Sequence, residues 1–111
     1  MLQILTLFTL LLTAADHWTT YLCLRAPAPG FEVSEANPIA DWLFGSLGLV
    51  PGLALDSVVT LAALAFLLST ALIPKPAKRV FLLVVIAWTG YAVVNNLHAI
   101  AAMNLSPLGP A

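Results

Sequence analysis

The sequence predicts an all-α membrane protein, with three transmembrane helices and a short interfacial or re-entrant helix between the first and the second. The 111-residue chain is 61% hydrophobic and 8% charged, which leaves too little polar surface to cover a water-soluble globule. Apolar stretches at residues 2–24, 53–73 and 80–103 are each long enough to cross a bilayer as a helix, which takes roughly 20 residues. We therefore expect a single integral membrane domain, residues 1–111.

A shorter helix is predicted at about residues 38–47, between the first two spans. Asn37 is a good N-cap residue, and Pro38 suits the first helical position because it has no backbone N–H to leave unpaired. The apolar run that follows contains Trp42 and Phe44 but is too short to cross the bilayer. We expect it to lie at the outer surface.

Basic residues predict the orientation of the spans. Lys75, Lys78 and Arg79 lie in the short link between the second and third spans, so the positive-inside rule places that link in the cytoplasm. The N-terminus is then cytoplasmic, while the connection at residues 26–52 and the C-terminus lie on the outer side. We expect a multi-pass protein of a prokaryotic cytoplasmic membrane.

The first span has an alternative interpretation as a secretory signal. Residues 2–12 are apolar, and the small residues of Thr13-Ala14-Ala15 follow them. No basic segment precedes this run, and apolar residues continue to Leu24. We expect the segment to be retained as a transmembrane helix.

Two aspartates, Asp16 and Asp56, lie within the predicted spans. A charged side chain at the centre of a membrane helix costs roughly 3 kcal/mol on insertion scales, so such residues usually have a function. Helical spacing places further polar side chains on the same faces as these acids. We expect one polar pocket in the outer half of the bilayer. Its predicted members are Asp16, Thr20, Glu35, Asn37, Asp56, Tyr91, Asn95 and His98.

Several chemistries are open to this pocket, because no lysine or arginine lies in the spans beside the aspartates. The acids can hold a proton, pair with histidine or bind an imported cation. One interpretation is a divalent metal site, with Asp16, Glu35, Asp56 and His98 as ligands. The other is structural, with polar side chains that bond the helices together.

Two polar residues next to these faces are expected to be secondary. His17 follows Asp16, and one residue turns an α-helix by about 100°, so His17 is expected to face the outer interface. Asn96 likewise points away from the face that carries Asn95.

The pattern Asp16-His-Trp-Thr19-Thr20, Glu35-Ala-Asn37-Pro38, Asp56 and Tyr91-x-x-x-Asn95-Asn96 extends over nearly the whole chain. It resembles a family of small bacterial and archaeal multi-pass membrane proteins grouped as a domain of unknown function. The resemblance implies a membrane fold with a shared polar site and gives no reaction.

Three classes of function follow from these observations. The first is a structural or ion- or headgroup-binding site, and the second is a metal- or acid-base-dependent enzyme at the outer leaflet. The third is an accessory subunit of a larger membrane complex, or a homo-oligomer, since three helices are too few to enclose a transport path. A net charge of −1 argues against a nucleic-acid partner.

Overall fold

The computed structural model describes residues 1–25, 35 and 37–108, and within these residues the chain forms four α-helices and no strand. The helices are α1 (Leu2–Arg25), α2 (Pro38–Leu47), α3 (Leu49–Ser69) and α4 (Lys75–Ala102). The predicted all-helical fold class is confirmed. α1 and α2 match the predicted helices at residues 2–24 and 38–47 to within one residue.

The boundaries of α3 and α4 differ from the predicted spans at residues 53–73 and 80–103. α3 begins at Leu49, directly after Gly48, and ends at Ser69. Residues 71–73 are apolar but not helical, because the chain is extended at Thr70 and Pro74 disfavours helix in the residue before it. Hydropathy reports where a chain prefers lipid, whereas glycine and proline determine where a helix begins and ends.

Two helices, α3 and α4, are long and apolar enough to cross a membrane. α1 has 24 residues and is therefore also long enough. It is less apolar than α3, since it contains Asp16, His17 and five threonines. The predicted number of three spans is thus reached only if α1 also crosses the membrane.

α1 lies between α3 and α4, which barely contact one another. Near the start of α1, Leu5 packs against Leu64 and Leu67 of α3 and Leu82 of α4. At the other end, Leu22 and Cys23 of α1 pack against Ile100 of α4 and Met103. α1 therefore runs antiparallel to α3 and parallel to α4, and the segment around residues 16–20 lies between two apolar clusters.

α2 begins as the sequence predicts. Asn37 is its N-cap, and the side-chain Oδ1 accepts hydrogen bonds from the backbone N–H of Ile39 at 3.0 Å and Ala40 at 3.4 Å. α2 packs closely on α3, where a Cβ built on Gly52 would lie 2.7 Å from the Phe44 ring. This contact fixes α2, and with it the N-cap residue Asn37, relative to α3.

Lys78 joins α3 to α4 at the opposite end of the bundle. Its side chain is only 6% exposed, and Nζ donates to the backbone oxygens of Thr70 at 2.7 Å and Leu68 at 3.2 Å. A cation is favourable here, because the last carbonyls of a helix are unpaired and carry partial negative charge. The three basic residues predicted to lie in the link are thus in the first turns of α4, and one of them caps α3.

Candidate functional site

Asn96 connects α4 to the polar segment of α1. Its Nδ2 donates to Thr19 Oγ1 at 2.9 Å and to Thr20 Oγ1 at 3.2 Å, and it lies 3.4 Å from Asp16 Oδ1. Thr19 and Thr20 are both buried. A single amide thus satisfies several polar groups of α1 where the two helices pack.

His17 connects the same segment of α1 to α3. Its Nε2 lies 3.3 Å from Asp56 Oδ2, and its Nδ1 is hydrogen-bonded to Ser57 Oγ at 2.8 Å. Thr60 Oγ1 also donates to Asp56 Oδ1, at 3.4 Å. Because consecutive residues of an α-helix differ by about 100° in direction, Asp16 can face α4 while His17 faces α3.

A cavity of about 460 Å³ lies between α1 and α4, beside Asp16. A smaller recess of about 90 Å³ adjoins it, and Asp16 lines both. Polar and aromatic residues that line the larger cavity are Asp16, Thr20, Glu35, Asn37, Trp88, Tyr91, Asn95 and Asn96. A volume of this size is within the range of small-molecule sites.

Two residues just before α2 belong to the walls of both cavities. Glu35 and Asn37 line the larger cavity and the smaller recess. The backbone N–H of Asn37 donates to Glu35 Oε1 at 3.1 Å. Since Asn37 also caps α2, the fold of α2 on α3 determines where the Glu35 carboxylate lies.

The structure places seven of the eight predicted site residues in these two cavities. Six line the larger one, and Asp56 lines the smaller recess beside His17. His98 is the exception, because it is exposed and lines neither cavity.

The face of α4 that packs on α1 is not the one that the sequence predicts. The two faces differ by one residue. The face that packs on α1 carries the buried residues Leu82, Ile100 and, just beyond α4, Met103, together with the half-buried Asn96. Asn96 therefore makes the contact with Asp16, whereas the expectation was that it points away from the site. Trp88, Tyr91 and Asn95 form the adjacent strip, which borders the cavity.

The predicted divalent metal site is not supported. Among the described residues, no three histidine, cysteine, aspartate or glutamate side chains are grouped so that they could hold a metal ion. Of the four proposed ligands, Asp16 and Glu35 line the larger cavity, Asp56 pairs with His17, and His98 lies outside.

Sequence reasoning gave too little weight to three residues of the site: His17, Ser57 and Asn96. For Ser57, a signal was present in its position directly after Asp56. For Asn96, the signal was the apolar spacing of Leu82 and Ile100, which lie on the same helical face.

A family model described as Domain of unknown function (DUF5658) matches residues 7–104. The chain belongs to the DUF5658 family. The match covers nearly all of α1 and the whole of α2, α3 and α4, so the DUF5658 domain includes every residue of both cavities. The predicted membership in an uncharacterised family is confirmed. No curated protein and no solved structure matches the chain.

Proposed function

We propose that this DUF5658 protein is a three-span membrane protein that binds a small positively charged ligand in the cavity between α1 and α4. The observation that carries the proposal is a pair of carboxylates, Asp16 and Glu35, in the wall of one cavity. Among the described residues, no lysine or arginine lines that cavity.

The exposed surface of the helices supports the membrane assignment. Large apolar side chains point outward along α3 and α4, including Phe66, Phe81 and Val84. Contiguous apolar surface of this kind is unfavourable in water and favourable in lipid. α1 lies between these two helices and shares their length, so we assign it as the third span.

The orientation follows from the positions of the basic residues. α1 begins beside the first turns of α4, which contain Lys75, Lys78 and Arg79, at the end where Leu5 meets Leu82. The positive-inside rule makes this the cytoplasmic end. The cavities then lie in the outer half of the bilayer, where a ligand can enter from outside.

The charge around the site is unbalanced. Asp16, Glu35 and Asp56 lie around the two cavities, and His17 is the one ionisable nitrogen that the described residues place beside them. Arg25 lies over the Tyr21 ring, 5.6 Å from its centroid. Since carboxylates in a low-dielectric region need a partner, a bound cation would stabilise this arrangement.

The test compares thiol reagents of opposite charge at the cavity wall. In a Cys23→Ala background, Asn95→Cys is treated with a cationic and an anionic methanethiosulfonate of similar size. The ratio of the cationic to the anionic reaction rate at Asn95→Cys is divided by the same ratio at Ser106→Cys, an exposed position. We expect a preference for the cationic reagent of roughly tenfold, from the local field of the carboxylates.

The matched variants are Asp16→Asn and Asp41→Asn. Asp16 lines the cavity, whereas Asp41 is exposed on α2. Asp16→Asn should remove most of the charge preference, and Asp41→Asn should leave it unchanged. Equal rates for both reagents at Asn95→Cys would contradict the proposal and leave a structural role for the polar residues.

A second candidate function comes from the contacts of His17. The imidazole lies between the Ser57 hydroxyl and the Asp56 carboxylate, with one nitrogen toward each. In serine hydrolases, a histidine between a hydroxyl and a carboxylate takes the hydroxyl proton while the oxygen attacks a carbonyl. There Nε2 faces the serine and Nδ1 the aspartate, whereas here Nδ1 faces Ser57 and Nε2 faces Asp56. A fluorophosphonate probe should then label Ser57, and labelling should be lost in Ser57→Ala and in His17→Ala. An unlabelled Ser57 in folded protein would assign these contacts to helix packing.

A further inference from the structure

Two aromatic residues of α4 line the larger cavity together with the carboxylates. Trp88 and Tyr91 lie three residues apart on α4 and both line the cavity with Asp16 and Glu35. Their side chains are 74% and 75% exposed, so these rings are not part of the packed core. The cavity thus has an acidic side and an aromatic side.

Carboxylates together with aromatic rings favour an alkylammonium ion over a metal ion. A metal ion needs several oxygen or nitrogen ligands, and the described residues contain no group of three acidic, histidine or cysteine side chains that could supply them. An alkylammonium ion needs fewer polar partners. Its charge interacts with a carboxylate, and its carbon-bound hydrogens pack on the faces of Trp and Tyr rings.

The remaining residues of the lining also favour a ligand with alkyl groups. Cys23, Leu24, Pro38, Ala92 and Ala99 complete the wall of the larger cavity. Apart from the single Cys23 thiol, these residues present methyl and methylene groups, which cannot coordinate a metal and which pack well against the substituents of an ammonium nitrogen. The volume of about 460 Å³ exceeds that of a single ion with its first ligands and fits a small organic cation.

We infer that the larger cavity binds an alkylammonium group between the carboxylates of Asp16 and Glu35 and the rings of Trp88 and Tyr91. The inference rests on the proposed function and names its ligand class. Exposed rings on α4 make the cavity accessible from the lipid side as well as from the outer surface. The ammonium therefore belongs either to a lipid headgroup or to a free amine.

The experiment measures binding of choline to the full chain in detergent by calorimetry. The comparison ligand is dimethylbutanol, in which an uncharged carbon replaces the choline nitrogen. We expect choline to bind at least about tenfold more tightly, since cation–π and carboxylate contacts act on the charge alone. Equal affinities would overturn the inference.

Four variants test the walls of the cavity. Trp88→Leu should weaken choline binding by about tenfold, while Trp88→Phe, which keeps a ring, should lose less. Asp16→Asn should weaken binding by at least as much as Trp88→Leu. Trp42→Leu is the matched control, because Trp42 is also exposed but lines neither cavity, and its affinity should be unchanged. Equal binding in Trp88→Leu and wild type would contradict the aromatic site.

The outcome separates this inference from the proposed function. If choline and dimethylbutanol bind alike while Asn95→Cys still prefers the cationic thiol reagent, the cavity binds a different cation and only the inference fails. If that preference is also absent, both fail.

The source of the ammonium is tested with nanodiscs. Displacement of choline by phosphatidylcholine, but not by phosphatidylglycerol, identifies a lipid headgroup, and retention of choline in both identifies a free amine.

Discussion

His17 Nε2 on α1 lies 3.3 Å from Asp56 Oδ2 on α3, and this contact joins two helices that otherwise pack over a small area. The neighbouring hydrogen bond from His17 to Ser57 acts between the same helices. The α1–α3 interface therefore combines these polar contacts with the packing of Leu5 on Leu64 and Leu67, whereas α1 and α4 pack in both apolar clusters.

We predict that His17→Ala destabilises the protein by about 1 kcal/mol, a usual size for hydrogen bonds between membrane helices. The free energy of unfolding is measured in detergent by denaturant titration. In a double-mutant cycle, His17→Ala and Asp56→Asn should be non-additive because the residues contact each other. Strict additivity would show that the contact contributes nothing.

Asn96→Leu should also lower stability, by about 1 kcal/mol, because Thr19 and Thr20 lose their amide donor. Asn95→Leu is the matched control, since Asn95 is exposed and borders the cavity. Its effect on the free energy of unfolding should be small. The reverse order of effects would place Asn95, and not Asn96, at the packed face of α4.

Gly52→Ala should destabilise the contact of α2 with α3 by about 1 to 3 kcal/mol, the usual cost of overpacking. The added methyl group would lie 2.7 Å from the Phe44 ring. Phe44→Leu should recover part of the loss in the double variant. Gly45→Ala provides the comparison, because a Cβ there meets nothing within 4 Å and alanine favours a helix. Equal effects at both glycines would contradict this packing.

The orientation predicts opposite accessibility for the two ends of α4. In a Cys23→Ala background, Ser106→Cys should react with an impermeant thiol reagent added to intact cells. Ala77→Cys, in the basic first turn of α4, should react only after the cells are opened. The tail that includes Ser106 lies beside α1, where Trp18 Nε1 donates to the Pro107 oxygen at 3.0 Å. Labelling of Ala77→Cys in intact cells would reverse the topology.

The sequence predicted correctly those features of the fold that depend on one helix alone. Apolar length identified the long helices, and the cap chemistry of Asn37 and Pro38 placed the start of α2. The position of Glu35 in the same cavity as Asp16 followed from counting residues along the predicted spans. These properties depend on local propensity and on the dimensions of a bilayer.

The rotation of each helix about its own axis could not be obtained in the same way. A shift of one residue turns the contact face by about 100°, which is the difference between Asn95 and Asn96. The expected roles of His17 and His98 were reversed for the same reason. Polar residues occur on more than one side of α1 and α4, so polarity alone does not identify the packed face, whereas the apolar row through Leu82 and Ile100 does.

The central position of α1 has a consequence for biosynthesis. α1 is made first, but Asn96, which donates to Asp16, is made 80 residues later. His17 likewise waits for Asp56 and Ser57 of α3. Asp16 and His17 therefore have none of these partners until α3 and α4 have been made. The polar contacts of the first helix, α1, are therefore completed only when the last helix, α4, packs against it.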